Sequence, residues 1–319
     1  MSQSENLSPL SHQQYLIVDK LRQLLRAKKM FTITSEKLVI YYEHMFEDSK
    51  LLAEPWFSRS SISKEMITEN VISALDTYRA NKDNLMNELI LDYFSNISMT
   101  EVPPPNSLDA AELLLSHGER PEEMSEDTWR KVNTSLQAIL NIFTQSCDSV
   151  MSLDFIKELH LILGRNVGSS YAGHYRNKRM FSAGVPSRML AIPEQIEIRL
   201  AVLVEVLNKK LFALPSDPVE RILRVLKIGT VFFSEFLLIE PFFNENEQIA
   251  KLLLSYILKD VVSFPFPLLY RNRSTYLEVM VNRYDHNPPD ELITYALMAC
   301  NQAAVRINNY LITYGRNIA

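Results

Sequence analysis

Apolar residues recur at helical spacing along nearly the whole chain. Leu21, Leu24 and Leu25 mark one face of a first helix, predicted over His12 to Lys29. The same period predicts helices over Ser35 to Glu47, Lys64 to Arg79 and Asn84 to Phe94. From Ser98 to Asp109, with Pro103-Pro104-Pro105, the pattern stops and an exposed connector is expected. A second polar stretch, His117 to Glu126, contains Gly118, Pro121 and several acids. Beyond it the predicted helices lengthen and grow more apolar: Asp127 to Thr144, Ser152 to Leu163 and Ile192 to Asn208. Arg165 to Pro193 lacks the helical period and is where any short β-structure belongs.

Asp217 followed by Pro218 reads as an N-cap and first helical position, opening a helix to about Ile239. Val219, Ile222, Val225, Phe232, Phe236 and Ile239 do not share one face, so this helix is expected at the centre of a bundle. Ile249, Leu252, Leu253, Tyr256 and Ile257 follow as a regular amphipathic stripe, and helices near Ser274 to Arg283 and Asp290 to Thr313 close the chain. The fold class is mostly α. The pattern divides into a tail at 1–11, an N-terminal helical region at 12–120 and a helical domain at 121–319.

A net charge of -5 offers no basic field for a phosphate backbone, so no nucleic-acid partner is expected. Val225 to Phe243 is the most apolar segment, but Lys227, Glu235 and Glu240 interrupt it, which argues for a core helix and no membrane association. The start of the chain shows no apolar leader, and a reducing compartment, cytoplasm or nucleus, is expected. Cys147 and Cys300 are the only cysteines, far apart and within apolar helical patterns, and read as small core residues. Asp285, His286, Asp290 and Glu291 cluster in sequence, but Asn287-Pro288-Pro289 marks a loop and helix cap there, and no metal is expected. His174 reads as an exposed loop histidine. No P-loop, dinucleotide fingerprint, nucleophile elbow or H-E-x-x-H occurs.

The most informative stretch is Glu240-Pro241-Phe242-Phe243-Asn244-Glu245-Asn246-Glu247-Gln248-Ile249-Ala250-Lys251, a helix end, a tight turn and a helix start. With Asn244 as N-cap, Glu247 falls at the third helical position and is expected to close a capping box. Glu245 and Glu247 both favour the positive end of the helix dipole, each by roughly 0.3–1 kcal/mol. Replacing both by glycine is therefore expected to cost roughly 1–2 kcal/mol.

This stretch resembles the signature loop of the Fic (Fido) family, H-P-F-x-D-G-N-G-R-x-x-R, in degenerate form. The resemblance extends through Gly173-His174-Tyr175-Arg176, Ile192-Pro193, Val206-Leu207-Asn208, Asp217-Pro218-Val219 and Arg273-Ser274-Thr275-Tyr276, covering about Met151 to Ala299. It implies a Fic-like helical bundle with a short β-hairpin flap near Tyr171 to Ser187, the N-terminal helices packing on it. Family members move a nucleotide, most often AMP from ATP, to a protein hydroxyl, and their flap adds a target segment as a strand.

The resemblance also assigns the positions. Glu240 stands where the family has its histidine base, and its ordinary pKa of about 4.3 makes it a weaker base than imidazole. Asn244 replaces the acid that holds Mg²⁺, and Asn246 is retained. Glu245 and Glu247 replace glycines whose backbone approaches the phosphates, and each carboxylate at ~5 Å in a dielectric of ~20 opposes a phosphate charge by about 3 kcal/mol. Gln248 and Lys251 replace the two phosphate-gripping arginines. Gly173, Tyr175 and Arg176 fall at flap and target-binding positions. Glu65 stands where the family's inhibitory helix has Ser or Thr, so Glu69-Asn70 is assigned no role. The expected function is that of an inactive Fic-like protein acting through a protein partner, without cofactor, and compatible with a homodimer. The rival is a divergent transferase using ATP and Mg²⁺, with Glu240 as base and Lys251 as phosphate contact.

Overall fold

The structure, a computed structural model, describes residues 12–26, 33–49, 63–97, 107–118, 120, 122, 124–144, 150–164, 170–180, 191–268, 272–284 and 288–314. Among these residues it contains twelve helices and no strand: α1 (His12–Arg26), α2 (Ser35–Asp48), α3 (Lys64–Ala80), α4 (Lys82–Asn96), α5 (Ser107–His117), α6 (Glu126–Thr144), α7 (Leu153–Gly164), α8 (Pro193–Phe212), α9 (Pro218–Ile239), α10 (Asn246–Leu258), α11 (Arg273–Tyr284) and α12 (Asp290–Tyr314).

α9 begins as its sequence dictates. The Asp217 side chain accepts from the Glu220 amide, and Pro218 fills the first turn, where its missing N–H costs nothing. From Val225 onward nearly every residue is buried, so α9 is the axis about which the other helices pack. α8, α10 and α12 lie against it, and α2, α3 and α4 extend the same packed array, with α3 running along α12. The buried core is continuous from Val18 in α1 to Ile307 in α12. At Gly229 α9 and α10 approach closely, since an added Cβ would lie 2.8 Å from a Leu254 methyl.

Several polar groups inside this core are paired. Glu235 of α9 and Arg283 of α11 form an ion pair whose side chains are 3% and 2% exposed, and Tyr41 of α2 approaches the same carboxylate. Removing one partner of such a pair strands a buried charge, so the pair ties α9, α11 and α2 into one register. Cys300 is fully buried, and burial pushes its thiol pKa up to about 12, leaving it inert. Cys147 lies outside the described residues.

Two expectations change. Ser107–His117 is a helix, so the connector predicted to reach Asp109 ends earlier. Ser107 and Asp109 open α5, and Ala110 and Ala111 are fully buried where α5 packs between α4 and α6. The β-hairpin expected over Tyr171 to Ser187 is not seen: 171–180 form a turn and irregular chain, while 181–187 lie outside the described residues. The Arg176 amide donates to the Pro241 carbonyl, a bond from this segment to the motif loop. Among the described residues no helix is long and apolar enough to cross a membrane.

Candidate functional site

The loop between α9 and α10 is held from both sides. α9 ends at Glu240, whose backbone is left-handed at φ 44° and whose amide donates to the Phe236 carbonyl. That conformation is unusual before a proline and costs a non-glycine residue about 1–2 kcal/mol. Arg176, 1% exposed, offsets it. Its guanidinium donates to the carbonyls of Glu240 (2.7 Å), Ile239 (3.2 Å), Lys178 (3.0 Å) and Ala191. Carbonyls at a helix C-terminus carry partial negative charge, so a cation capping them is stabilised by the macrodipole as well as by hydrogen bonds. Burial lowers the pKa of Arg176, while Glu240 acts in the opposite sense. Arg176 is thus a structural cap with its head group inside the protein.

Phe242 plugs the loop into the core at 1% exposure. Its amide donates to Asn246 Oδ1 at 3.0 Å, and Asn246 Nδ2 donates back to its carbonyl at 2.9 Å, so the retained asparagine staples the turn. His160 of α7 stacks on the Phe242 ring, with centroids 3.9 Å apart. The Gly173 amide donates to His160 Nδ1 at 2.9 Å, which makes Nδ1 the acceptor and places the proton on Nε2, 3.3 Å from Asn244 Oδ1. Burial lowers the His160 pKa, in keeping with this neutral tautomer. Gly173 itself has φ +75°, a conformation that a side chain would strain.

The helix start differs from the expected capping box. Glu245, not Asn244, is the N-cap of α10, at φ 57°, and no side-chain cap bond forms. Asn244 turns to His160. Glu247 turns to Lys251, with its carboxylate 2.8 Å from the ammonium. Lys251 is 3% exposed, donates to the Ile97 carbonyl beyond α4 at 2.8 Å, and lies 5.1 Å from the centre of the Tyr276 ring. Burial, only partly offset by Glu247, lowers its pKa to about 8. Gln248 is half-buried on the first turn of α10.

The structure therefore brings Glu240, Asn244, Glu245, Asn246, Glu247, Gln248 and Lys251 onto one loop and helix start, with Arg176 and Gly173 beneath. Tyr175 packs on Phe242 at 5.4 Å between centroids and lies under Lys157. Beside them Tyr171 is exposed and meets the Phe243 ring edge-on at 4.7 Å. His174 is exposed, as expected. Among the described residues no three His, Cys, Asp or Glu side chains gather as metal ligands, so Glu240, Glu245 and Glu247 do not form such a group. Asp285 and His286 lie outside the described residues, and Glu291 accepts from Asn282. Asn70 bonds Asn301 Oδ1 through its side chain, a structural tie between α3 and α12.

His160 was missed as a site residue. Its only signal was a histidine flanked by Leu159 and Leu161 on an apolar helix, and its partners Asn244 and Gly173 lie far away in sequence.

Several solved structures share this architecture. Fic-1 (aa134 - 508) from C. elegans superposes with a TM-score of 0.61 at 16% identity, covering 97% of this chain and 90% of that one. A Fic domain containing signaling protein from Bacteroides thetaiotaomicron VPI-5482 gives 0.57 at 16% identity, with coverage of 75% and 97%. A Fic family protein from Desulfovibrio desulfuricans G20 gives 0.53 at 16% identity, with coverage of 78% and 77%. No protein-family model and no curated protein matches the sequence. The chain has the Fic fold.

The geometry gives the two glycine substitutions opposite signs. Glu245→Gly relieves a left-handed non-glycine residue and is expected to raise unfolding free energy by about 1 kcal/mol. Glu247→Gly strands a buried ammonium and is expected to lower it by at least ~2 kcal/mol. Urea unfolding of the two single variants checks the opposite signs; a loss of stability in both contradicts the left-handed turn.

Lys251 predicts a pH dependence. Its folded pKa of about 8 lies below the unfolded value of 10.5, so the unfolded chain binds more protons between the two. Stability must then rise with pH in that window. From pH 8 to 10 the wild type should gain about 1–2 kcal/mol relative to Lys251→Met, measured by urea unfolding. Parallel pH profiles would contradict the buried ammonium.

Proposed function

We propose that this Fic-fold chain is catalytically silent and acts by binding another protein. The observation that carries the reading is the state of Lys251. At the position where the family grips phosphate, its ammonium is buried, 2.8 Å from Glu247 and 2.8 Å from the Ile97 carbonyl. An arriving phosphate would have to displace a carboxylate and a main-chain acceptor from a group that is 3% exposed.

ATP and Mg²⁺ do not fit the residues present. Glu247 places a carboxylate on the first turn of α10, where a polyphosphate would need bare amides. Glu245 occupies the left-handed position at the head of the same helix with a charged side chain. Asn244, where a metal-binding acid would stand, points its oxygen at His160. Each group has a partner within the protein, so the loop is stable without a ligand.

Next to the loop, the exposed Leu161 lies against Gly173, and the exposed Tyr171 meets the partly buried Phe243, giving apolar surface there. This surface is where we place the contact with a protein partner. Its apolar character suits a partner segment laid across the loop, a grip that requires no chemistry. The free, buried Cys300 is in keeping with a reducing compartment, cytoplasmic or nuclear.

Calorimetric titration of the full chain with ATP and Mg²⁺ should give no saturable heat, and incubation with labelled nucleotide and protein extracts should leave no labelled protein. Micromolar ATP binding, or a label whose transfer is lost in Glu240→Ala, would overturn this reading in favour of the divergent transferase.

A further inference from the structure

His160 joins three parts of the molecule that are far apart in sequence. Its ring is 0% exposed and stacks on Phe242, and its two nitrogens are engaged in opposite senses. Nδ1 accepts from the Gly173 amide at 2.9 Å, while Nε2 directs its proton at Asn244 Oδ1, 3.3 Å away. A neutral imidazole of this tautomer satisfies both contacts. An imidazolium satisfies only one. A proton on Nδ1 would face the Gly173 N–H, donor against donor, while the bond to Asn244 would gain charge assistance. Protonation therefore acts on one side of the ring, releasing 171–174 and leaving the motif loop held.

The released side has few other ties. Two of its bonds are local: the His174 amide donates to the Tyr171 carbonyl, and the His174 ring bonds the Ala172 carbonyl. Its ties to the rest of the protein are the Gly173 amide, Ala172 packed close over Gly164, and the edge of Tyr171 against Phe243. The chain is anchored firmly again at Arg176, whose guanidinium and amide hold Ile239, Glu240 and Pro241.

The charged groups on the surrounding elements do not keep a proton on the ring. On α7, Lys157 lies over the Tyr175 ring and Glu158 is exposed. Asp154, also on α7, and Glu197 of α8 both act on Tyr175. On the motif loop and α10, Glu240 acts on Arg176, Glu245 heads the helix, and Glu247 pairs with Lys251. α6, which packs on α7, carries no charged residue after Lys131. What bears on the His160 proton is burial first, then Asn244, which favours it, and His174, which opposes it. The folded pKa lies below the ordinary 6.5, so the closed turn binds fewer protons than an open one in that window. Closure is complete above pH 6.5 and weakens as pH falls through the folded value.

We propose that His160 is an acid-sensitive latch, which ties the 171–174 turn to α7 and the motif loop when neutral and frees the turn when protonated. Tyr171 travels with the turn, so its contact with Phe243 parts while Asn246 keeps Phe242 in place. The latch holds whether or not this surface binds a partner. Loss of partner binding in acid is a consequence that rests on the partner reading.

Nuclear magnetic resonance of the labelled full chain, from about pH 7.5 to 5, tests the latch. At neutral pH, long-range proton–nitrogen correlations should show His160 protonated at Nε2 alone. Below pH 6.5, hydrogen exchange at the Gly173 amide, corrected for its intrinsic rate, should rise by up to about tenfold per pH unit until His160 has titrated. The Tyr171–Phe243 ring contact should be lost with the same midpoint, while the Phe242 amide, held by Asn246, stays protected. His174→Asn, at an exposed position, should keep the step and move its midpoint upward, because an opposing charge is gone. A folded His160→Gln variant should show no step. A ring protonated at Nδ1 at neutral pH, or Gly173 protection unchanged through the His160 titration, overturns the proposal. So does a step that disappears in His174→Asn or persists in His160→Gln. Loss of Phe242 protection together with that of Gly173 also overturns it, because the event is then general acid unfolding.

Discussion

The structure depends on how the C-terminus of α9 is closed. α9 is buried almost throughout, and a buried helix end exposes its last carbonyls to an interior without water. Arg176 supplies the donors. Its guanidinium reaches the carbonyls of Ile239 and Glu240, while its own amide holds Pro241. That arrangement lets Glu240 adopt a left-handed backbone, turns the chain through Pro241 and seats Phe242 in the core. With Phe242 seated, His160 and Asn246 complete the loop, and α10 starts where it does. A lysine could not reproduce this cap, since a single ammonium lacks the planar fork that spans several carbonyls.

Given that frame, the loop satisfies its own polar groups. Asn246 closes on Phe242, Asn244 on His160, and Glu247 on Lys251, which also reaches Ile97. The buried ammonium lies at a cost, shown by its lowered pKa, and Glu247 with the Ile97 carbonyl offsets part of it. A helix N-terminus that elsewhere offers amides to an anion here already carries a carboxylate of its own. Beside the loop, Tyr171 and Leu161 stay exposed.

Helix positions were legible because the 3.6-residue period is strong and breakers are few: Asp217-Pro218 placed the start of α9, and the stripe from Ile249 to Ile257 placed α10. α5 was partly hidden, because the polar Ser107 and Asp109 follow a proline run and its burial falls on the small Ala110 and Ala111. Within the site, Pro241 and Phe242 could be read as scaffold, and Asn246 only as a retained motif residue. The roles of Arg176 and His160 could not, since both are set by contacts across long sequence separations, with Ile239, Glu240 and Asn244. The capping box at Asn244 failed for a related reason: the loop demanded a left-handed residue at Glu245, which moved the helix start by one position and sent Glu247 to Lys251.

We propose that the loop's own carboxylates and buried lysine, and no defect elsewhere, keep phosphate out. The most direct measurement is ATP binding, in the presence of Mg²⁺, by the folded quadruple variant Glu245→Gly/Glu247→Gly/Gln248→Arg/Lys251→Arg. Removing two carboxylates and supplying two forked donors should produce saturable binding, with none in the wild type measured alongside. A variant that folds, with native circular dichroism, and still binds no ATP would contradict the account.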